Sequence, residues 1–266
     1  MEQLSRPFAV VTGASSGIGY ELARQFAQNG FDLLITSEHD RISEAEQSLS
    51  RHSTSVKSFR ANLATYDGVE ALYRRIEEEG RVLDAIAINA GVGVSGDFSR
   101  DTDLEAELNL IQLNVVCPVH LTKRIVKNML RNGRGKILFT SSIAGTMPAP
   151  FLAVYGASKA FLTSFAQAIR NELKDTPLTI TTLMPGATET EFFERAGMED
   201  TKLGTNEKDD PAQVAKEGFE ALMDGKDHIV AGSFKNKLQA AGGHMLPDTV
   251  AAEMHRKQSE PGSANR

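Results

Sequence analysis

Tyr155 and Lys159 stand four residues apart, and Ser142 lies thirteen residues before the tyrosine. On a helix, positions i and i+4 share one face, so a phenol and an ammonium at that spacing sit together. A free tyrosine ionises near pH ~10; working as a base near pH 7 requires a drop of about three units, or about 4 kcal/mol of differential stabilisation. A fixed positive charge is a group able to supply it. A serine hydroxyl beside the same oxygen can hold a substrate oxygen by hydrogen bond. The chemistry such a trio suits is proton transfer to or from a carbonyl or hydroxyl oxygen. Taken singly, each signal has a plainer reading. The Tyr155–Lys159 pair reads as a surface helix pair, Ser142 as a turn serine among Ser141 and Gly145, and Asn114 as a helix interruption ahead of Pro118.

A second group opens the chain. Phe8-Ala9-Val10-Val11 runs into Thr12-Gly13-Ala14-Ser15-Ser16-Gly17-Ile18-Gly19, which starts an amphipathic segment. That strand–turn–helix setting gives a glycine fingerprint its meaning. Gly13 permits the tight turn, Gly17 lets the backbone approach a pyrophosphate, and Gly19 allows close helix–sheet packing. The helix N-terminus then offers unpaired N–H groups and a partial positive charge to phosphates.

The elements that must position these groups alternate short apolar, β-branched runs with longer periodic stretches. This is the pattern of a parallel sheet flanked by helices. The pattern predicts strands at Phe8–Thr12, Phe31–Thr36, Ser55–Arg60, Ala85–Asn89, Lys136–Ser141, Thr179–Met184 and His228–Ala231, and helices near 17–29, 40–51, 66–79, 102–130, 154–174 and 211–224. Pro118 is expected to break or kink the 102–130 stretch. Asp40 and Asp210-Pro211 read as helix starts, and Gly225 as a helix end. With 266 residues and no Gly/Ser/Pro-rich linker, the chain reads as one domain over 1–254. It carries a lid at about 186–209 and a mobile tail at 255–266.

Composition narrows the function classes. A formal charge of −6 argues against a general nucleic-acid or anionic-membrane surface. No apolar run approaches the ~18 residues that span a bilayer. The opening residues Met1 to Pro7 lack the apolar stretch of a secretory signal. A lone Cys117 excludes an internal disulfide and suits a reducing cytoplasm. The histidines form no cluster at ligand spacing, so no metal site is expected.

The glycine turn spaced Gly-x-x-x-Gly-x-Gly, with Tyr155, Lys159, Ser142 and Asn114 in this order, resembles the short-chain dehydrogenase/reductase family over roughly residues 7 to 232. The resemblance implies a Rossmann-type α/β fold: a doubly wound parallel sheet of about seven strands with helices on both faces. It also implies hydride transfer between NAD(P)(H) and a carbonyl or secondary alcohol. In that family's terms Tyr155 is the general acid/base, and Ser142 holds the substrate oxygen. Lys159 lowers the tyrosine pKa and binds the nicotinamide ribose, and Asn114 holds a water that relays protons. Cofactor contacts carry over to Gly13, Ser15, Ser16, Gly17, Ile18, Gly19, Ser37, Glu38, Asn62, Leu63, Asn89, Ala90, Gly91, Pro185, Gly186, Thr188 and Thr190. Two stretches depart from the family pattern. Its Asp-Leu appears as Asn62-Leu63, and its Asn-Asn-Ala-Gly as Ile88-Asn89-Ala90-Gly91, which puts local geometry in question.

Cofactor choice turns on Thr36-Ser37-Glu38-His39. Neither the family's NAD-selecting Asp nor its NADP-selecting Arg is present, and Glu38 would repel a 2′-phosphate. The lean is to NAD(H), unless His39 and Arg41 fold back to meet a phosphate; Glu38 as a solvated loop charge is the plainer alternative. Met147, Pro148, Phe151, Phe192, Phe193, Met198 and Leu203 suggest an apolar pocket for a medium-sized ketone, aldehyde or secondary alcohol. The resemblance further implies a homodimer or homotetramer through the helices at 102–130 and 154–174. A 3-oxoacyl carrier-protein reductase and a non-catalytic nucleotide sensor on the same fold are the competing functions.

Overall fold

A run such as Phe8-Ala9-Val10-Val11-Thr12 has no polar face to offer water, so it is stable only where both of its faces are covered. The computed structural model of the chain describes residues 6–52, 54–243 and 246–265. Residues 1–5, part of the stretch read for a secretory signal, lie outside the described residues. Seven strands form one sheet: β1 (Phe8–Thr12), β2 (Asp32–Ser37), β3 (Val56–Arg60), β4 (Ala85–Ile88), β5 (Gly135–Thr140), β6 (Leu178–Pro185) and β7 (His228–Ala231). Their order is β3-β2-β1-β4-β5-β6-β7 and every neighbouring pair is parallel. The winding reverses between β1 and β4, where a doubly wound sheet opens a crevice at its carboxyl edge.

The helices are α1 (Gly17–Gln28), α2 (Ile42–Leu49), α3 (Tyr66–Glu78), α4 (Leu104–Ile111), α5 (Cys117–Asn132), α6 (Ala153–Glu172), α7 (Phe192–Arg195), α8 (Lys202–Thr205), α9 (Pro211–Met223), α10 (Phe234–Gly243) and α11 (Asp248–Ser259). Alternate residues of β1 feed two cores. Ala9 and Val11 pack under α1 and α9, where Phe26 meets Phe31 and Phe219 edge-on at 5.1 and 5.0 Å. Phe8 and Val10 face the opposite layer with Leu72, Leu121, Ile125 and Leu162. The fold is therefore the expected one, with strand ends within one or two residues of the sequence reading.

Three local readings need correction. The 102–130 stretch is not simply kinked at Pro118. It divides into α4 and α5 around a π turn at Gln112–Val116, and Pro118 lies in the first turn of α5. A proline ring collides with the carbonyl four residues back, and here that residue, Asn114, sits inside the widened turn. Asp40 does not cap α2; the cap position is Arg41, without a side-chain bond, and Asp40 pairs with Arg60 at 2.7 Å. By contrast, Asp210 accepts from Ala212 N and caps α9 as expected. Within the segment read as a mobile tail, the described residues 255–265 are packed. Ser259 Oγ donates to Pro150 O at 2.7 Å, and Gly262 N and Ala264 N donate to Asp200 of the lid at 2.8 and 3.0 Å. Ser259 and His255 are buried there, which a free tail could not be.

The lid holds two short helices, α7 and α8, and its ends are tied together. Asp209 N donates to Ala187 O at 2.8 Å, and Glu189 N donates to Asp209 O at 2.9 Å. Among the described residues, no helix is long and apolar enough to cross a membrane. Cys117 is buried and free, and burial pushes its thiol up to about 12.

Candidate active site

Glycines shape the turn after β1, Gly17 and Gly19 among them. Gly17 has φ +56°, in the left-handed region, and a Cβ there would come 3.0 Å from Thr190 Cγ2. A Cβ at Gly19 would collide with the Gly13 carbonyl, so α1 packs directly on the turn. Ser16 precedes α1 with no side-chain cap bond, and the first turn of the helix holds no acidic residue. The free N–H groups there point where an anion can be held. Ser15, Ser16 and Ile18 line the same cleft. The residues present therefore fit the pyrophosphate of a dinucleotide.

The β2 end is more closed than the sequence suggests. Ser37 is buried, its Oγ lies 2.9 Å from Ser15 Oγ, and it accepts from His39 N at 3.2 Å. Glu38 is about half exposed, lines the cleft, and lies 3.7 Å from His39 Nε2. Asn62 and Leu63 also line the cleft, and Asn62 Oδ1 accepts from Ala64 N at 2.9 Å. Asn89 repairs the neighbourhood where the family's first asparagine is replaced by Ile88. Its Nδ2 donates to Thr12 O at 3.1 Å, and Thr12 Oγ1 accepts from both Asn89 N and Ala90 N. Ile88 is buried in the sheet core.

The four candidate catalytic residues converge at the carboxyl edge of β4 and β5. Ser142 follows β5, accepts from Ala144 N at 3.1 Å, donates to Pro185 O at 3.5 Å, and lines the cleft with Tyr155. Lys159 Nζ donates to Thr140 O at 2.9 Å and lies 5.6 Å from the Tyr155 ring centre. Asn114 comes from the π turn. Its Oδ1 accepts from Val92 N at 3.0 Å, and its Nδ2 donates to Val92 O at 2.9 Å and Ser158 Oγ at 3.1 Å. A Cβ at Gly91 would come 3.1 Å from Asn114 Oδ1 and 3.3 Å from Lys159 Nζ, so the glycine lets the ammonium reach the strand edge.

Burial governs the protonation states. Desolvation pushes Tyr155 up to about 12, with the neighbouring Ser142 hydroxyl working the other way. Lys159, whose ammonium donates to the Thr140 carbonyl, is desolvated as well. Burial pulls Lys159 down to about 8.

Past β6, Pro185, Gly186, Thr188 and Thr190 line the cleft on the lid side. Asn236 of α10 occupies the space a Gly186 side chain would need, and it donates to Asp209 Oδ2 at 2.6 Å. Phe192 lies on Tyr155 with ring centres 5.1 Å apart, and its ring fills the space that a Cβ at Gly93 would take. Leu152, Phe193, Met198 and Leu203 complete an apolar wall. Met147, Pro148 and Phe151 do not line the cleft. Phe151 adopts φ 61°, and the Arg256 guanidinium lies over its ring instead. Sequence reading missed Asn236, Gln239, His255 and Gln258, which line the far side from α10 and α11. No local spacing announces them.

Residues 7–200 match the family described as short chain dehydrogenase. The chain belongs to the short-chain dehydrogenase family. Sulfoacetaldehyde reductase 2 of Chromohalobacter salexigens is 33% identical to it over 187 residues, 69% of this chain and 73% of that protein. A short-chain dehydrogenase from Sphingobium yanoikuyae, solved in complex with NADPH, superposes with a TM-score of 0.80 at 26% identity, over 90% of this chain and 93% of that one. A family member from Burkholderia phymatum, solved in complex with NAD, shares the fold at a TM-score of 0.81 and 21% identity, over 98% and 99% of the two chains. As a short-chain dehydrogenase the protein is an NAD(P)-dependent oxidoreductase. Its catalytic and glycine-turn candidates lie inside the matched stretch, whereas α10 and α11 lie beyond it.

Proposed function

We propose that this short-chain dehydrogenase reduces the carbonyl group of a medium-sized, largely apolar ketone or aldehyde and oxidises the matching secondary alcohol in reverse. The observation that carries this reading is the meeting of Ser142, Tyr155 and Lys159 at the cleft wall, with the Lys159 ammonium 5.6 Å from the Tyr155 ring centre and beside Gly91 and Asn114. A bound nicotinamide supplies or takes the hydride. Tyr155, with its pKa near 12, is fully protonated at neutral pH and is ready to donate its proton to a carbonyl oxygen as charge builds there. Ser142 holds the same oxygen. Lys159, near 8, is the group able to restore that proton close to physiological pH. Both ends of the Asn114 side-chain amide are committed, so a relay water at this residue would rest on its main-chain carbonyl. In the alcohol-oxidising direction the phenol must ionise, and the positive charge of an oxidised nicotinamide adds to that of Lys159.

The cofactor reading favours NAD(H). Each basic side chain near the β2 end already faces a carboxylate, His39 with Glu38, Arg60 with Asp40 and Arg41 with Glu191. A homodimer or homotetramer through α5 and α6 fits the stacked Phe161 and Phe165, 5.9 Å apart, with Phe161 well exposed on α6. The buried free Cys117 suits the cytoplasm. Turnover of a carbonyl and alcohol panel with NADH and with NADPH tests the function. The panel includes an anionic aldehyde, because Lys235 lines the far end of the cleft and the C. salexigens relative is named for one. Cofactor binding without turnover of any carbonyl would favour the sensor reading, and light scattering reads the assembly.

A further inference from the structure

We propose that Glu191 of the lid is a cofactor-selectivity residue that acts through Arg41; this rests on the nicotinamide-dependent reading above. Arg41 follows β2 by four residues, and Glu38, His39 and its own partner Glu191 line the cleft. Its guanidinium makes two parallel bonds to Glu191, Nη1 to Oε1 at 2.7 Å and Nη2 to Oε2 at 2.6 Å. The partners are 150 residues apart in the chain, so the pair spans the cleft from the ribose end to the lid. Arg195 grips the same carboxylate from within α7. The other two pairs at this end, Glu38–His39 and Asp40–Arg60, use carboxylates of the β2–α2 loop itself. Among these carboxylates only Glu191 comes from the stretch between β6 and α9, at the head of α7.

Glu191 also lies between two residues with separate duties. Thr190 lies over Gly17 of the phosphate turn, and Phe192 lies on Tyr155. A ribose 2′-phosphate and a carboxylate both take a guanidinium by the same two-bond fork, and Glu191 already holds the outer Nη1–Nη2 edge of Arg41. A cofactor whose 2′-phosphate takes that edge draws Arg41 away from Glu191 and loosens the first turn of α7. A cofactor with a free 2′-hydroxyl leaves the pair intact and the lid seated. Selectivity at the ribose is thus set partly from a residue that never touches the ribose.

The test is a double-mutant cycle on the full chain, with NADH and NADPH dissociation constants read from nicotinamide fluorescence. Glu191→Gln should tighten NADPH by about ten- to a hundredfold and change NADH by less than about threefold, the range of one charge-assisted pair released to the phosphate. In an Arg41→Gln background the same substitution should give no NADPH gain. Trypsin should cut after Arg195 faster in wild-type protein saturated with NADPH than with NADH. A gain that persists without Arg41 would reduce Glu191 to a simple repulsive charge and overturn the proposal. Equal change for both cofactors, or none, would also overturn it, whichever cofactor the wild type prefers. Folded wild-type protein that binds neither cofactor would remove the functional reading as well, a distinct result.

Discussion

Replacing Lys159 with methionine should make the cofactor-free protein more stable at neutral pH while abolishing turnover. The ammonium is only 4% exposed, and the bond it makes goes to the Thr140 carbonyl. Burial lowers its pKa from the ordinary 10.5 to about 8. At about 1.4 kcal/mol per pKa unit, keeping the charge inside costs the folded state about 3 kcal/mol. Methionine has a similar stem and no charge, but it leaves the Thr140 carbonyl without a donor, at about 1–2 kcal/mol. The net gain at pH 7 is therefore about 1–2 kcal/mol, or a Tm rise of about 2–6 °C for a chain of this size. The sign of the pH dependence is fixed. Below about pH 8 both folded and unfolded lysine are charged and the wild type bears the whole penalty. Between 8 and 10.5 the folded state has released its proton while the unfolded chain retains it, so wild-type stability climbs and the advantage of the variant shrinks. The advantage is gone between about pH 9 and 10, and above 10.5 the variant is the less stable by about 1–2 kcal/mol, the cost of the unpaired carbonyl. Thermal unfolding of both proteins from pH 6 to 10.5 measures the difference, and titrations common to both cancel. A variant less stable by the same margin at every pH would refute the argument.

Tyr155→Phe should lower turnover by about two to four decades and leave cofactor dissociation constants nearly unchanged; near-normal activity would show that the phenol is not the proton donor. Asn114→Ala strips partners from Val92 N, Val92 O and Ser158 Oγ in a buried setting, so urea unfolding should report a loss of about 2–4 kcal/mol. A loss under about 0.5 kcal/mol would mean that water replaces the side chain. Glu38→Arg should move the ratio of NADPH to NADH affinity upward by about ten- to a thousandfold, since a repulsive carboxylate gives way to charge-assisted bonds. An unchanged ratio would place Glu38 in solvent rather than beside the ribose.

What could be read from the chain follows the range of each interaction. The β1 strand, the glycine turn and the pairing of Tyr155 with Lys159 are local patterns, and the structure keeps them where their spacing puts them. The Arg41–Glu191 pair and the Asn236 contact with Gly186 join residues far apart in the chain, and nothing in either segment advertises the other. The tail shows the same limit. Its polar composition reads as mobile, yet Ser259 and Ser263 find partners in Pro150 and Lys202 that only the folded chain brings near. The protonation of Tyr155 and Lys159 has a different limit: the desolvation that moves both groups depends on burial, which a sequence does not display.

The π turn at Gln112–Val116 adds one residue to what would otherwise be a single rod, and so rotates α4 by about 100° relative to α5. That rotation lets one continuous stretch serve two interiors. Leu110 packs with Tyr155, while Leu121 and Ile125 pack in the sheet core with Ile86 and Phe139. Deleting a single residue there would heal the helix and recover a regular hydrogen bond, yet it would swing Leu110 and Asn114 off the reacting centre. The local backbone and the enzyme thus want different sequences at this point. A search for variants that selects on folding alone should drift toward the straight helix and lose the catalyst.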